Sequence, residues 1–186
     1  MNKEVKEWII AIAIAVVSIV IIINFVGKSY TVRGDSMYPT LKDGERVIVN
    51  IAGVKFGSIH KGNVIVFHHD KKDDYVKRVI GTPGDHIQYK KDQLYVNGKK
   101  VKEPYLDYNE KHKQIDYITD KSWDSKEINN GEAKIPKDKL LVLGDNREIS
   151  KDSRSFGLID RDQVVGKVSL RYWPFKEWKY NFNPST

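Results

Sequence analysis

Asp74-Tyr75-Val76-Lys77-Arg78-Val79-Ile80-Gly81-Thr82-Pro83-Gly84-Asp85 reads as a strand that runs into a Gly-Pro-Gly turn. The two-residue period of a strand puts Lys77 on one face with Tyr75 and Val79, and Val76, Arg78 and Ile80 on the other. Similar short β-branched runs recur at Val47-Ile48-Val49, Val64-Ile65-Val66-Phe67 and Leu140-Leu141-Val142-Leu143, each bounded by polar residues or Gly. They predict buried strands. Ile87-Gln88-Tyr89 and Leu94-Tyr95-Val96 form a meander, and Asn97-Gly98 supplies a type I′ hairpin turn into Lys99-Lys100-Val101. Strand character returns at Val164-Val165 and at Val168 to Trp173, before Pro174 breaks it. The class is mainly β. Between these runs Glu103 to Lys134 is polar, with isolated aromatics at Tyr105, Tyr108, Tyr117 and Trp123, and reads as a loosely ordered insertion without chemistry. The aromatic tail Phe175, Trp178, Tyr180 and Phe182 is expected to pack against the sheet in preference to touching a membrane interface.

The chain has 186 residues and no cysteine, which excludes disulfide frameworks, thiolate metal sites and a cysteine nucleophile. From Trp8 to Gly27 it carries no charge. Twenty helical residues at about 1.5 Å each span roughly 30 Å, the hydrocarbon thickness of a bilayer, so this stretch reads as a transmembrane helix. A cleavable secretory signal, with Ile9 to Ile23 as its apolar part and Gly27 and Ser29 as the small residues, is the competing reading. Lys3 and Lys6 before the span balance Lys28 and Arg33 after it, so the basic residues leave its orientation open. A net charge of +7 suits anionic lipid headgroups or wall polymers. Nucleic acid is not expected as a partner, because the lysines are interspersed with acids and no nucleic-acid motif is present.

Three stretches carry candidate chemistry. In Thr31-Val32-Arg33-Gly34-Asp35-Ser36-Met37-Tyr38-Pro39-Thr40-Leu41, Ser36 sits where the chain must turn and can present its hydroxyl. Lys77, if buried in its strand, would lose solvation and titrate low enough to serve as a general base to a serine. Gly144-Asp145-Asn146-Arg147-Glu148-Ile149-Ser150-Lys151-Asp152-Ser153-Arg154 is a polar loop directly after an apolar strand. In it Asp145, Asp152, Arg147 and Arg154 can form charge-assisted pairs, and Ser150 can orient an amine. His60, His68, His69, His86 and His112 stand in polar surroundings and read as surface residues, not as a metal site or a triad base.

Taken together, the anchor, the serine motif Ser36-Met37-Tyr38-Pro39-Thr40-Leu41, the strand Gly62 to Phe67, the lysine motif Tyr75 to Asp85 and the loop Gly144 to Arg154 resemble the type I signal peptidases, in their Gram-positive branch. The resemblance covers the whole chain. It implies a membrane-bound serine endopeptidase that removes signal peptides from preproteins after Ala-X-Ala, with Ser36 as nucleophile and Lys77 as general base, and no cofactor or metal. It also implies that Ser150 hydrogen-bonds Lys77, that Asp145 pairs with Arg78 and Asp152 with Arg154, and that Val32, Met37, Tyr75 and Val76 line small apolar pockets. The family fold is a catalytic domain of coiled antiparallel sheets with a smaller inserted β-domain behind a single transmembrane helix.

On that pattern residues 1–7 form a cytoplasmic tail, 8–27 the anchor, 28–85 and 136–175 the catalytic domain, 86–135 the insertion and 176–186 the tail, with the catalytic domain outside the cytoplasm. The expected partners are preproteins and the lipid bilayer. Two residues depart from the family pattern. Gly34 stands where Gram-negative relatives carry a serine that donates to the oxyanion, and Asn63 stands where an aspartate is usual and is expected to be structural. Two rivals predict otherwise: a self-cleaving Ser/Lys repressor would carry a DNA-binding domain in front, and an inactive anchored β-domain would keep Ser36 and Lys77 apart.

Overall fold

A computed structural model describes residues 3–182 apart from 56, 71–72 and 114–121, and leaves the side chains of 20–26 undescribed. Tyr117 of the polar stretch therefore lies outside the described residues. Helix α1 (Lys3–Val26) precedes β1 (Lys28–Thr31), β2 (Arg46–Asn50), the short α2 (Ala52–Lys55), β3 (Val64–His68) and β4 (Asp74–Gly81). Next come β5 (Ile87–Lys90), β6 (Gln93–Val96), β7 (Lys99–Val101), a 3-10 turn at Pro104–Leu106, α3 (Asp107–His112) and β8 (Ser122–Asp124). The chain closes with β9 (Lys139–Leu143), α4 (Ser153–Phe156), β10 (Ile159–Asp160), β11 (Val164–Trp173) and β12 (Lys179–Tyr180).

The strands form two antiparallel sheets. The larger has the order β1-β2-β11-β3-β4-β9-β10, with β12 added along β11, and the smaller has β7-β6-β5-β8. Strand β3 shows why its apolar run is unbroken where alternation would be expected of a half-exposed strand. Val64 and Val66 pack with Val32, Met37, Leu41, Val47, Val49 and Phe182, while Ile65 and Phe67 pack with Val79, Leu140, Val142 and Val164. Both faces of β3 are core. Strand β9 divides in the same way, since Leu141 and Leu143 join Ile87, Tyr89, Leu94 and Trp123 in a third cluster that supports the smaller sheet. Asn97 and Gly98 both have positive φ, at 53° and 78°, as the predicted I′ turn requires.

One expectation is left without support by the described residues, and two need correction. The predicted transmembrane stretch falls on α1, but among the described residues no helix is long and apolar enough to cross a membrane. The polar stretch Glu103 to Lys134 is not loosely ordered where it is described: it holds the 3-10 turn, α3 and β8, and Leu106 is fully buried. Of the aromatic tail only Phe182 joins the core, whereas Phe175, Trp178 and Tyr180 stay exposed.

Candidate active site

The loop between β1 and β2 is pinned from below. Met37 and Leu41 are fully buried and bonded to each other through the backbone (Leu41 N to Met37 O, 3.0 Å), so the chain is anchored immediately after Ser36. Ahead of it Gly34 turns at φ +73°, a left-handed conformation that favours glycine, and its amide donates to Asp43 Oδ1 at 2.6 Å. Ser36 is left half-buried with its hydroxyl free to face Lys77. Met37, implied by the family resemblance to line a substrate pocket, is instead part of the core because it is the side chain that fixes this turn.

Lys77 Nζ lies 2.6 Å from Ser36 Oγ. The lysine is buried, and loss of solvation lowers its pKa from 10.5 to about 8, against the opposing pull of the Asp152 and Asp145 carboxylates. Tyr75 on the same face of β4 puts its ring 5.4 Å below the amine. An amine so placed is about one-tenth neutral at pH 7 and half neutral near pH 8, and the neutral amine can accept the serine proton.

The loop after β9 backs this pair. Asp145 binds Arg78 in a bidentate bridge (2.8 Å to Nε, 2.6 Å to Nη2), both side chains being essentially inaccessible to solvent. Arg78 Nη1 also donates to the Gly62 and Phe182 carbonyls, at 2.7 and 2.6 Å. Burial alone would lower the Arg78 pKa, but Asp145 outweighs it and holds the guanidinium charged. Asp152 accepts from Arg154 Nε and Nη2 at 2.8 and 2.9 Å and from the Gly144 amide at 3.0 Å. Burial pushes its carboxyl up, and these donors reverse that and keep it below the ordinary carboxylate range. The two pairs implied by the resemblance are thus brought together.

Two other residues sit differently. Among the described residues Ser150 Oγ is buried without a well-formed hydrogen bond, and so makes none to Lys77. It packs over Gly144, whose missing side chain makes room for it, and it faces Asp152, contributing least to holding that carboxyl down. Arg147 donates from Nε to the Gly144 carbonyl of its own loop at 2.8 Å, but its ion pair reaches outside it. It reaches Glu103 at 2.6 Å, and Glu103 Oε1 also accepts from Tyr89 and Tyr105 at 2.8 and 2.7 Å. The Glu103 partner was missed because it lies 44 residues away in a stretch with no periodic signal. Asn63, expected to be structural, accepts from the His60 amide at 3.1 Å.

A cleft of about 860 Å³ opens beside the pair, lined by Val32, Ser36, Val66, Tyr75, Val76, Lys77 and the exposed Ile149 among others. Val32, Tyr75 and Val76 of the implied pocket residues are there. His68 stands on the rim with Nδ1 2.5 Å from Asp74, and His86 binds Asp124 at 2.9 Å, so each has a carboxylate partner other than the serine.

A serine hydroxyl in contact with a buried low-titrating lysine, on a sheet beside an open cleft, defines a β-sheet hydrolase site. A family model described as "Signal peptidase, peptidase S26" matches residues 5–173. The chain belongs to this family. It is 64% identical over 187 residues to signal peptidase IB of Staphylococcus aureus strain MRSA252, covering 99% of this chain and 97% of that one. It is 47% identical over 181 residues to signal peptidase I of Bacillus caldolyticus, with 97% of each chain covered. The crystal structure of a signal peptidase I from Enterococcus faecalis V583 superposes with a TM-score of 0.55 at 29% identity, over 60% of this chain and 97% of that one.

Proposed function

We propose that this chain is a membrane-anchored serine endopeptidase that removes signal peptides from preproteins after Ala-X-Ala, with Ser36 as nucleophile and Lys77 as general base. The observation that carries the catalytic assignment is the 2.6 Å contact between Lys77 Nζ and Ser36 Oγ, with an amine whose pKa is near 8. As Ser36 Oγ attacks the scissile carbonyl carbon, Lys77 takes its proton and passes it to the departing amine, leaving an acyl group on Ser36. Lys77 then takes a proton from water as that water attacks the ester and returns it to Ser36 Oγ as the acyl–oxygen bond breaks, which releases the acid and restores both groups. The Ser36 amide donates to the oxyanion. Gly34 supplies no side chain for a second bond, and its amide is already committed to Asp43.

Asp145 with Arg78 and Asp152 with Arg154 hold the loop behind the lysine, and Ser150, whose hydroxyl faces Asp152, would orient the amine once it turns toward it. Val32, Tyr75 and Val76 would admit small side chains and exclude large ones. Residues 28–85 and 136–175 would form the catalytic domain and 86–135 the insertion, a division supported by the separate sheet β7-β6-β5-β8.

The charge-free stretch Trp8 to Gly27 supports a single-pass anchor, with residues 1–7 in the cytoplasm and the cleft outside it. The exposed isoleucines of α1 support it too, as do Trp173, Phe175, Trp178 and Tyr180, which offer aromatic side chains to an interface. Cleavage of a membrane-inserted preprotein ending its signal in Ala-X-Ala tests this reading, with the cut mapped by mass. The native chain is expected to cut after the final alanine and Ser36→Ala and Lys77→Ala to be inert. Cleavage by Lys77→Ala at the native rate would place the base elsewhere.

A further inference from the structure

The segment between β7 and β8, read from sequence as free of chemistry, sends one side chain to both loops of the site. Asn109 on α3 donates through Nδ2 to the Tyr38 carbonyl at 3.0 Å and to the Asp145 carbonyl at 2.8 Å. Tyr38 is two residues beyond Ser36. Asp145 is the residue whose carboxylate grips Arg78, the neighbour of Lys77 on β4. A carboxamide nitrogen carries two hydrogens, and here each has its own acceptor.

We propose that Asn109 is a positioning residue for the hydrolytic site: its side-chain amide sets the register of the loop that carries Ser36 against the loop that backs Lys77. This rests on the Ser36 and Lys77 assignment above. The support beneath Asn109 is firm, since Leu106 in the preceding 3-10 turn is fully buried and Tyr105 lies 4.0 Å beneath the Arg78 guanidinium. Tyr38 and Tyr108 add an edge-to-face ring contact at 5.5 Å next to it. The two loops also meet directly through the Asn146 amide and the Ser36 carbonyl at 3.0 Å. That bond fixes one point of contact, and a second is needed to stop the loops pivoting about it. Asn109 provides the second. Its effect reaches Nζ through distance and through water access, because an amine kept dry by Ser36, Tyr75 and the 144–154 loop gains solvent when the loops part.

The test compares Asn109→Ala, Asn109→Asp and Asn109→Gln in the full-length chain, on a membrane-inserted preprotein, with kcat, KM and the pH dependence of kcat measured for each. Asn109→Ala is expected to lower kcat roughly ten- to hundredfold with KM held within about twofold, since a misplacement of an ångström costs about that much. The midpoint of its pH profile moves to higher pH as the wetter Lys77 becomes harder to deprotonate. Asn109→Asp has the same size and no N–H, so it fails likewise even if Asn109→Ala does not fold, and Asn109→Gln, which keeps the amide, recovers part of the loss. A kcat within twofold of native in Asn109→Ala or Asn109→Asp overturns the proposal. So does a loss with an unmoved pH midpoint and no recovery in Asn109→Gln, the pattern of a purely structural residue. Ser36→Ala separates the two layers: if native is no faster than Ser36→Ala the hydrolase reading falls, and if native alone exceeds it while Asn109→Ala matches native, this proposal falls by itself.

Discussion

Lys77 carries two opposed consequences of one burial. Below about pH 8 its amine is protonated in the folded chain, so turnover is expected to rise close to tenfold per pH unit up to about 8 and then level off. A flat kcat profile between pH 6 and 9 would contradict this. The same displacement from 10.5 to about 8 makes the folded state release its proton before the unfolded one, so the stability cost is complete below about 8, shrinks as pH rises from 8 to 10.5, and is gone above. Replacing the lysine by an apolar chain of similar length removes that cost at every pH. Lys77→Met is therefore expected to be inactive yet more stable at pH 7, on the order of 1–3 kcal/mol by thermal or denaturant unfolding. Sequence could state this only conditionally, since a strand lysine is usually exposed and nothing local distinguishes the buried case.

At the level of elements, the site depends on the loop after β9 being pressed against the serine turn, and Gly144 lies directly against the Ser36 carbonyl. A Cβ there would lie 2.4 Å from the Ser36 carbonyl and 2.1 Å from Ser150 Oγ. The backbone of the nucleophile's own residue would have to give way, so Gly144→Ala is expected to cut kcat by on the order of a hundredfold, with a preprotein assay as the check. The loop is also held by Glu103, whose removal takes a carboxylate away from the fully buried Arg147 guanidinium. Glu103→Ala is expected to destabilise by about 3–5 kcal/mol, measured by urea unfolding at pH 7. The pairs of this loop were only partly readable. Asp152 and Arg154 are two residues apart and could be matched by inspection, and Asp145 with Arg78 followed from the family resemblance. Arg147 with Glu103 and Asn109 with Asp145 join positions that no period or spacing relates. Met37 was misassigned for a similar reason, because a methionine beside a nucleophile reads equally well as pocket or as core until the turn beneath it is seen.

For the molecule as a whole, the strands were legible and their order was not. Runs such as Val64 to Phe67 and Leu140 to Leu143 announce themselves by β-branching, whereas β11 lying between β2 and β3 is a long-range pairing that leaves no local mark. That order brings β1, at the end of α1, alongside β2 and thus into the sheet that bears the cleft, with Ser29, Tyr30 and Thr31 among the cleft residues. A chain held by α1 in a bilayer would keep its cleft within a few residues of the anchor. Membrane-inserted substrate would then be searched for along a surface, at a higher effective concentration than from solution. Deleting residues 1–26 should separate the two contributions. Hydrolysis of a short soluble peptide ending in Ala-X-Ala is expected to persist within about twofold, because Ser36, Lys77 and the loop behind them lie beyond the deletion, while cleavage of a preprotein in lipid vesicles falls by on the order of a hundredfold. Equal losses on both substrates would mean that α1 serves the fold of the catalytic sheet, and no loss on either would remove α1 from the account of how substrate is met.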